Sequence, residues 1–541
     1  MSAPARAGEL ARNVRFAASW ALGALRTDPA WLALQAARRA PARWSARLVP
    51  LVERVVGDDA ARPGGRLRAA WAAGDVAPIR ATQPRTRTER RVREALLGQV
   101  DGLAPADDVA PAGDVGAPAA SAASGGPVAV HHHLTNSLPH TQSGYTLRTH
   151  AVLRAQLAAG HRVTATTRAG YPLTIGAVGA RGTDVVDGVP YTRLIPAALP
   201  TGHRRRFADA VDLLTRELDA SAPDVVHATT PWTTGDVARA AARRAGLPWV
   251  YEVRGLPEET WVASHATPEA RAHAAASERY ALVRAKETEL ALAADAVVTL
   301  SGTMRDELAA RGVPAERITV VPNAVDDALL AAPAPSPAEA RVALGLTTAR
   351  YVVGTVSSLV GYEGLDTVLR AVALLRSRGV DVAALLVGDG AARPDLVRLA
   401  AELGLGEHAI LPGRVPRDVA RTYLAALDAV LVPRRPDRVT RLVTPLKPVE
   451  AGAMGRPVVA SDLPALAEVL TPMAGDVPEP SGLLVPADDV EAWADAVTRV
   501  LTDGALRASL VARGLENARS RTWSRNAAVY AEVYAAARTR R

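Results

Sequence analysis

Thr444-Pro445-Leu446-Lys447-Pro448-Val449-Glu450-Ala451-Gly452-Ala453-Met454-Gly455-Arg456-Pro457-Val458-Val459-Ala460-Ser461 reads as a loop, a helix opened by proline, and a buried strand. Proline lacks a backbone N–H and is pre-set for the first helical turn; Thr444 is the expected N-cap, and Gly455 can close the helix. Lys447 and Glu450 stand three apart, so one helical face carries both near its positive end. An amide-rich helix start beside a lysine suits a phosphate, and a carboxylate one turn on suits a sugar diol. A Lys-Glu pair on an ordinary solvated helix is the alternative reading of the same residues.

Working outward, the strand-then-helix texture repeats. The second half predicts strands at 351–356, 382–387, 409–411, 429–432, 457–460 and 482–485. The first half predicts strands at 128–130, 161–167, 224–228, 248–254, 296–300 and 318–321, with a loop over 131–143 and helices at 144–160, 207–221 and 237–245 between them. Alternation on this scale means parallel, doubly wound sheets, in which ligands sit at the carboxyl ends of the strands. The expected organisation is α/β, two Rossmann-like domains in series, over 128–330 and 345–520. A C-terminal helix at 521–541, carrying Tyr530 and Tyr534, is expected to pack back across the joint.

Residues 1–103 read instead as a helical extension, with helices at 9–25, 30–39, 42–56, 66–80 and 88–100; 104–127 is a flexible linker rich in Ala, Pro, Gly and Asp. The formal charge of +8 is concentrated here, since residues 1–100 hold 18 Arg against 8 acids, or +10. Trp20, Trp31, Trp44 and Trp71 recur among the arginines, so they either pack within a bundle and onto the next domain or lie on an anionic membrane. No zinc-finger or RNA-recognition motif accompanies the charge, so nucleic acid is not an expected partner.

With 541 residues, 48% hydrophobic and 22% charged, the chain has the balance of a soluble protein of two or three domains. The absence of cysteine excludes disulfides, thiolate metal sites and cysteine nucleophiles. No window is apolar enough to span a bilayer and no signal peptide is evident, so the expected location is cytoplasmic, with peripheral contact at the inner membrane face through the basic extension. His131, His132 and His133 invite a metal reading, but alternate strand side chains point opposite ways and no carboxylate pair accompanies them.

Pro322-Asn323-Ala324-Val325-Asp326 before the joint, Gly388-Asp389-Gly390 after a strand, Gly413 after the next, and the Glu450 helix, in that order and spacing, resemble glycosyltransferase family 4 of GT-B fold. The Thr-Pro-Leu-Lys-Pro element resembles its exopolysaccharide-type branch. The resemblance implies a retaining transferase whose C-terminal domain holds a nucleotide-sugar and whose N-terminal domain holds the acceptor. It implies that Glu450 bonds the ribose hydroxyls, that the loop at Gly413 and Arg414 lies against the base, that Gly144 lets its helix approach the diphosphate, and that His227 stands in the interdomain cleft. Thr444, Leu446, Gly388 and Ser357 complete the expected donor set.

Three departures bear on catalysis. Leu442 stands where the family usually has a first glutamate, Glu363-Gly364 where it has lysine-glycine, and Thr355 where arginine is frequent. Stabilising a departing diphosphate needs fixed cations and amides. Lys447, with an arginine such as Arg435 from the group 434, 435, 438 and 441, is therefore expected to replace the missing clamp. Arg254, ending a strand at the ligand edge, is a candidate for steadying a phosphate or an acidic acceptor, or for a salt bridge with Glu252 or Glu258. Tyr145, Arg148 and Asn136 are expected to line the acceptor side.

The expected function is transfer of a UDP-linked sugar to a glycan or lipid-linked acceptor in surface polysaccharide or glycoconjugate synthesis. No cofactor or metal is expected beyond the nucleotide-sugar co-substrate. A nucleotide-sugar epimerase of the same fold and a catalytically impaired nucleotide-binding scaffold are the alternatives.

Overall fold

The computed structural model describes residues 3–27, isolated positions between 29 and 52, 64–105, 126–471 and 479–540, apart from 201, 332, 347 and 348. The helices expected at 30–39 and 42–56, with Trp31 and Trp44, and most of the linker expected at 104–127 lie outside the described residues. The chain divides into two compact units. Unit 1 comprises 1–297, 312–317 and 532–541; unit 2 comprises 298–311 and 318–531.

Among the described residues, fourteen strands form two sheets: β1 (Ala129–Leu134), β2 (Arg162–Thr167), β3 (Thr183–Val186), β4 (Val189–Arg193), β5 (Val225–Thr229), β6 (Trp249–Val253), β7 (Ala296–Thr299), β8 (Ile318–Val320), β9 (Tyr351–Val356), β10 (Val382–Val387), β11 (Ala409–Gly413), β12 (Ala429–Val432), β13 (Val458–Ser461) and β14 (Gly482–Val485). The first sheet has the order β3-β4-β2-β1-β5-β6-β7-β8, and β4-β2-β1-β5-β6 run parallel. The second has the order β11-β10-β9-β12-β13-β14, all parallel. Both are doubly wound, and in each the strand order reverses at one point, between β1 and β5 and between β9 and β12.

Strands such as Val382–Val387 are apolar along their whole length because helices cover both faces. The second sheet's core sets the fully buried Trp493 and Val497 of helix Val490–Thr502 against helix Leu365–Ser377 and Val353, Leu386 and Leu431. The expected boundaries of β9, β10, β12 and β14 agree with the observed ones. The loop expected over 131–143 starts later, because β1 continues through His131, His132 and His133 to Leu134. All three imidazoles are buried, and Thr164, Thr166 and Gln156 bond them, which offsets the cost of burying polar rings in a strand. The β3-β4 hairpin was not anticipated; its two-residue turn is Asp187-Gly188, both with positive φ.

In the extension, the helix expected at 66–80 is two, Gly65–Ala73 and Ala77–Ala81, parted at Gly74. Together with helix Arg87–Leu103 they enclose a small core of Leu67, Ile79, Val92 and Leu96. Trp71 packs onto the rest of unit 1, its ring 4.6 Å from the Arg279 guanidinium, which also lies 4.4 Å from the Trp261 ring. The last helix, Trp523–Thr539, is counted with unit 2 up to Ala531 and with unit 1 from Glu532.

Candidate functional site

Each unit carries a polar cluster at the carboxyl edge of its sheet, beside the point where strand order reverses.

In unit 2 the loops leaving β9 and β12 meet. Gly364 makes this possible: with φ 64° it passes so close to Pro433 that a Cβ would stand 1.9 Å from its carbonyl oxygen. The contact brings Glu363, on the first loop, to Arg434, on the second. Arg434 Nη2 donates to Glu363 Oε1 at 2.8 Å, and Lys447 Nζ donates to Glu363 Oε2. Two cations share one carboxylate, leaving the triad a net charge of +1. Burial would raise the Glu363 carboxyl, but Arg434 and Lys447 outweigh it and hold the group at about 2. Burial pulls the Lys447 ammonium down, against the pull of Glu363.

Lys447 therefore meets a carboxylate at the position where the family resemblance led us to expect a lysine. Of the arginines expected to join Lys447, it is Arg434 that does. Arg435 is held by Asp366, with Nη2 at 2.8 and 2.9 Å from its two oxygens, and Arg438 by Glu307 at 2.7 Å. Arg441 is exposed.

Helix Lys447–Ala453 starts later than its sequence implies, with Leu446 rather than Thr444 at the N-cap. Thr444 is buried in the preceding loop, where its hydroxyl has no hydrogen-bond partner and its carbonyl accepts from Asn323 Nδ2 at 3.0 Å. Pro445 stands before the helix and Pro448 in its first turn, where its missing N–H costs no helical bond. Glu450 stands in the first turn, half-buried; burial raises its carboxyl, opposed by Arg417 and Arg421, while Asp326, which pairs with both arginines, raises it further.

Along the same edge, Gly388 has φ 138° and a Cβ there would lie 1.8 Å from the Ser357 carbonyl oxygen, so only glycine lets these two turns touch. Ser357 donates its N–H to Val387 at 2.8 Å, and Gly388 donates to the Gly413 carbonyl at 3.0 Å. Ser357, Gly388 and Gly413 thus stand on adjacent strand ends, and the exposed Arg414 follows.

In unit 1 a cavity of about 470 Å³ opens at the ends of β1, β5 and β6, lined by Asn136, Tyr145, Thr149, Thr230, Arg254 and Trp261 among others. Helix Gly144–Ala158 borders it, fixed by a Ser143–Thr146 capping box; Gly144 itself is exposed, with nothing within 4 Å of a Cβ. Beneath lies a buried charge network centred on Glu252. Its carboxylate accepts from Arg148 Nη2 at 2.9 Å, Arg254 Nη2 at 2.7 Å and His227 Nε2 at 3.1 Å. Arg254 Nη1 also donates to Thr149 Oγ1 at 2.5 Å. Burial would raise Glu252, yet Arg254 and Arg148 overcome it and keep the group ionised, well below the usual carboxylate range.

Two expectations are corrected here. His227 is 0% exposed, with Nδ1 bonded to the Tyr534 hydroxyl at 2.8 Å and Nε2 to Glu252, so its ring supports the site from below instead of lining it. Burial lowers its pKa despite Glu252, so it is neutral, with the proton on Nε2 and Nδ1 accepting from Tyr534. Arg148, expected to line the acceptor side, is turned inward onto Glu252 and is 3% exposed. Gln156 Nε2 donates to the Tyr534 hydroxyl at 2.7 Å, Gln156 Oε1 accepts from His132 Nε2 at 2.8 Å, and the His132 ring stacks on His227 at 4.6 Å. Among the described residues, no group of three His, Cys, Asp or Glu could hold a metal ion.

The pairings of Glu363 and of His227 were not in the sequence reading. The partners are 71 and 84 residues apart in one case and 25 and 307 in the other, so local spacing carried no signal for either.

Residues 143–324 match the family described as "Glycosyl transferase 4-like domain", and residues 350–503 the one described as "Glycosyl transferases group 1". The D-inositol 3-phosphate glycosyltransferase of Saccharomonospora viridis is 31% identical over 329 residues, covering 58% of this chain and 69% of that relative. Among solved structures, sucrose-phosphate synthase from Thermosynechococcus elongatus superposes with a TM-score of 0.60 at 21% identity, over 75% of this chain and 98% of its own. HepE of Anabaena, in complex with UDP and glucose, does so with 0.55 at 19%, over the same shares.

Proposed function

The chain belongs to the GT-B glycosyltransferases, with a 4-like first domain and a group 1 second domain, and on that premise we propose a donor, an acceptor and a stereochemical course. The donor is a UDP-linked sugar held in unit 2, and the acceptor is a glycan or lipid-linked saccharide bound in the cavity of unit 1. The sugar is transferred with retention, in the synthesis of surface polysaccharide or glycoconjugate. The observation carrying this reading is the net positive triad of Arg434, Glu363 and Lys447 at the strand-order reversal, one turn from Glu450.

Glu450, with its carboxylate turned to no protein donor among the described residues, accepts the two ribose hydroxyls. The charge that develops on the departing diphosphate is met by Arg434 and Lys447, with no metal ion taking part. Glu363 keeps both cations fixed before the reaction, which is where electrostatic catalysis gains most. In retention without a protein nucleophile, the acceptor hydroxyl approaches the anomeric carbon on the face the diphosphate leaves. Its proton passes to the departing phosphate oxygen as the new glycosidic bond forms. The relative from Saccharomonospora is named for D-inositol 3-phosphate, and Arg254 at the cavity wall favours, as a second reading, an acceptor carrying a phosphate.

Thermal stability in the presence of UDP, GDP, ADP and their sugar conjugates tests the donor assignment, since a ligand that binds only the native state raises the melting temperature. UDP is expected to produce the largest rise, and Glu450→Ala to abolish it. A folded protein whose melting temperature no nucleotide moves would overturn the reading.

A further inference from the structure

The helix Ala3–Thr27 lies on unit 1 by one face only. Asn13 Nδ2 donates to the carbonyls of Val178 and Ala180 at 3.0 and 2.8 Å, the Glu9 carboxylate accepts from Gly182 N–H at 3.2 Å, and the Ser19 hydroxyl accepts from Leu199 N–H at 2.8 Å. Phe16 is fully buried against Leu173 and Ile195. These contacts fix how the helix is rotated, and they leave a second apolar stripe turned outward. Leu10, Val14, Leu22 and Leu25 are 51%, 50%, 51% and 48% exposed.

At 100° per residue these four fall within an arc of about 120°, with the exposed Ala7 and Ala18 between them. Arginines border the stripe on both sides: Arg6 on one margin, Arg15 and Arg26 on the other, all three exposed. The helix has a single acid, Glu9, and that one is taken up on the docked face. An apolar stripe flanked by guanidiniums and free of carboxylates matches a surface that is oily beneath and negative above. Leucine side chains reach the acyl boundary while arginine stems extend their charge to the phosphates. No helix of the described residues is long and apolar enough to cross a membrane, so the fit is to lying on a bilayer, not spanning it.

We propose that the outward face of helix Ala3–Thr27 docks the protein on an anionic lipid bilayer, through Leu10, Val14, Leu22 and Leu25 as the buried residues and Arg6, Arg15 and Arg26 as the headgroup contacts. The proposal stands on this helix alone and does not require the donor assignment above.

The test is co-sedimentation of the full chain with vesicles of phosphatidylcholine alone and with about one third phosphatidylglycerol. The wild type is compared with Leu10→Glu/Leu22→Glu and with Arg15→Glu/Arg26→Glu. The wild type is expected to bind the anionic vesicles at least ~10-fold more tightly than the neutral ones, with affinity falling as salt rises. Both double variants are expected to lose that binding while keeping the wild-type melting temperature, since the substituted side chains point to solvent. Equal binding of all three proteins, or no binding by the wild type, overturns the proposal. A wild-type dimer that Leu10→Glu/Leu22→Glu turns into a monomer, without vesicle binding, would assign the face to a second copy and overturn it as well.

Discussion

Glu363→Gln removes the charge that holds Arg434 and Lys447 while keeping the shape of the side chain. Glu363 is 5% exposed, so solvent screens its pairs little. Its carboxyl lies at about 2 in the folded protein against an ordinary 4.5. At about 1.4 kcal/mol per tenfold change, that difference is worth on the order of 3 kcal/mol of stability at neutral pH. The folded value is depressed, so the contribution is fully present above 4.5 and is lost as pH falls through about 2. Most of it remains at pH 5 and less than half at pH 3 by the same relation. Urea denaturation of the wild type and Glu363→Gln at pH 7, 5 and 3 reads this as a gap that narrows on acidification. Reversing the charge order instead, with Glu363→Lys and Lys447→Glu together, should recover part of the lost stability, because the pair is restored. A gap at pH 7 below about 1 kcal/mol, or one that does not change with pH, would refute the idea that Glu363 is the shared anion of this cluster.

Two further substitutions probe how the sites are held. Tyr534→Phe deprives His227 Nδ1 of its donor and Gln156 of an acceptor in a fully buried setting, so it should cost about 1–3 kcal/mol in chemical denaturation. An unchanged unfolding midpoint would mean that the hydroxyl does not fix the ring. Gly388→Ala forces a Cβ to 1.8 Å from the Ser357 carbonyl, so the turn must move; a loss of more than about 3 kcal/mol and of the nucleotide-induced rise in melting temperature are both expected. A variant that melts and binds UDP like the wild type would show that this close approach is dispensable.

The chain's periodicity determined the class of fold and most strand positions, because parallel strands buried on both faces must be short continuous apolar runs, and 382–387 or 429–432 can be little else. The ligand-binding edges followed from the same pattern, since chain direction places every strand-to-helix loop at the carboxyl ends. Where polar groups interrupted the pattern, the sequence was read short. His131, His132 and His133 belong to β1 because Thr164, Thr166 and Gln156 satisfy them, and no local rule announces partners more than twenty residues away. The motif at 444–461 located Lys447 and Glu450, but their surroundings were decided by tertiary structure. Glu363, which in the sequence is the loss of a cation, becomes in the fold the carboxylate that positions two of them. His227 stood out as a residue to line a cleft, and the fold buries it under Glu252 with both ring nitrogens engaged. Sequence fixes which groups can ionise and which strand ends carry them. Only the folded chain decides which of those groups face each other out of water, and there the energy of an ion pair, and hence its role, is set by the partner and not by the residue.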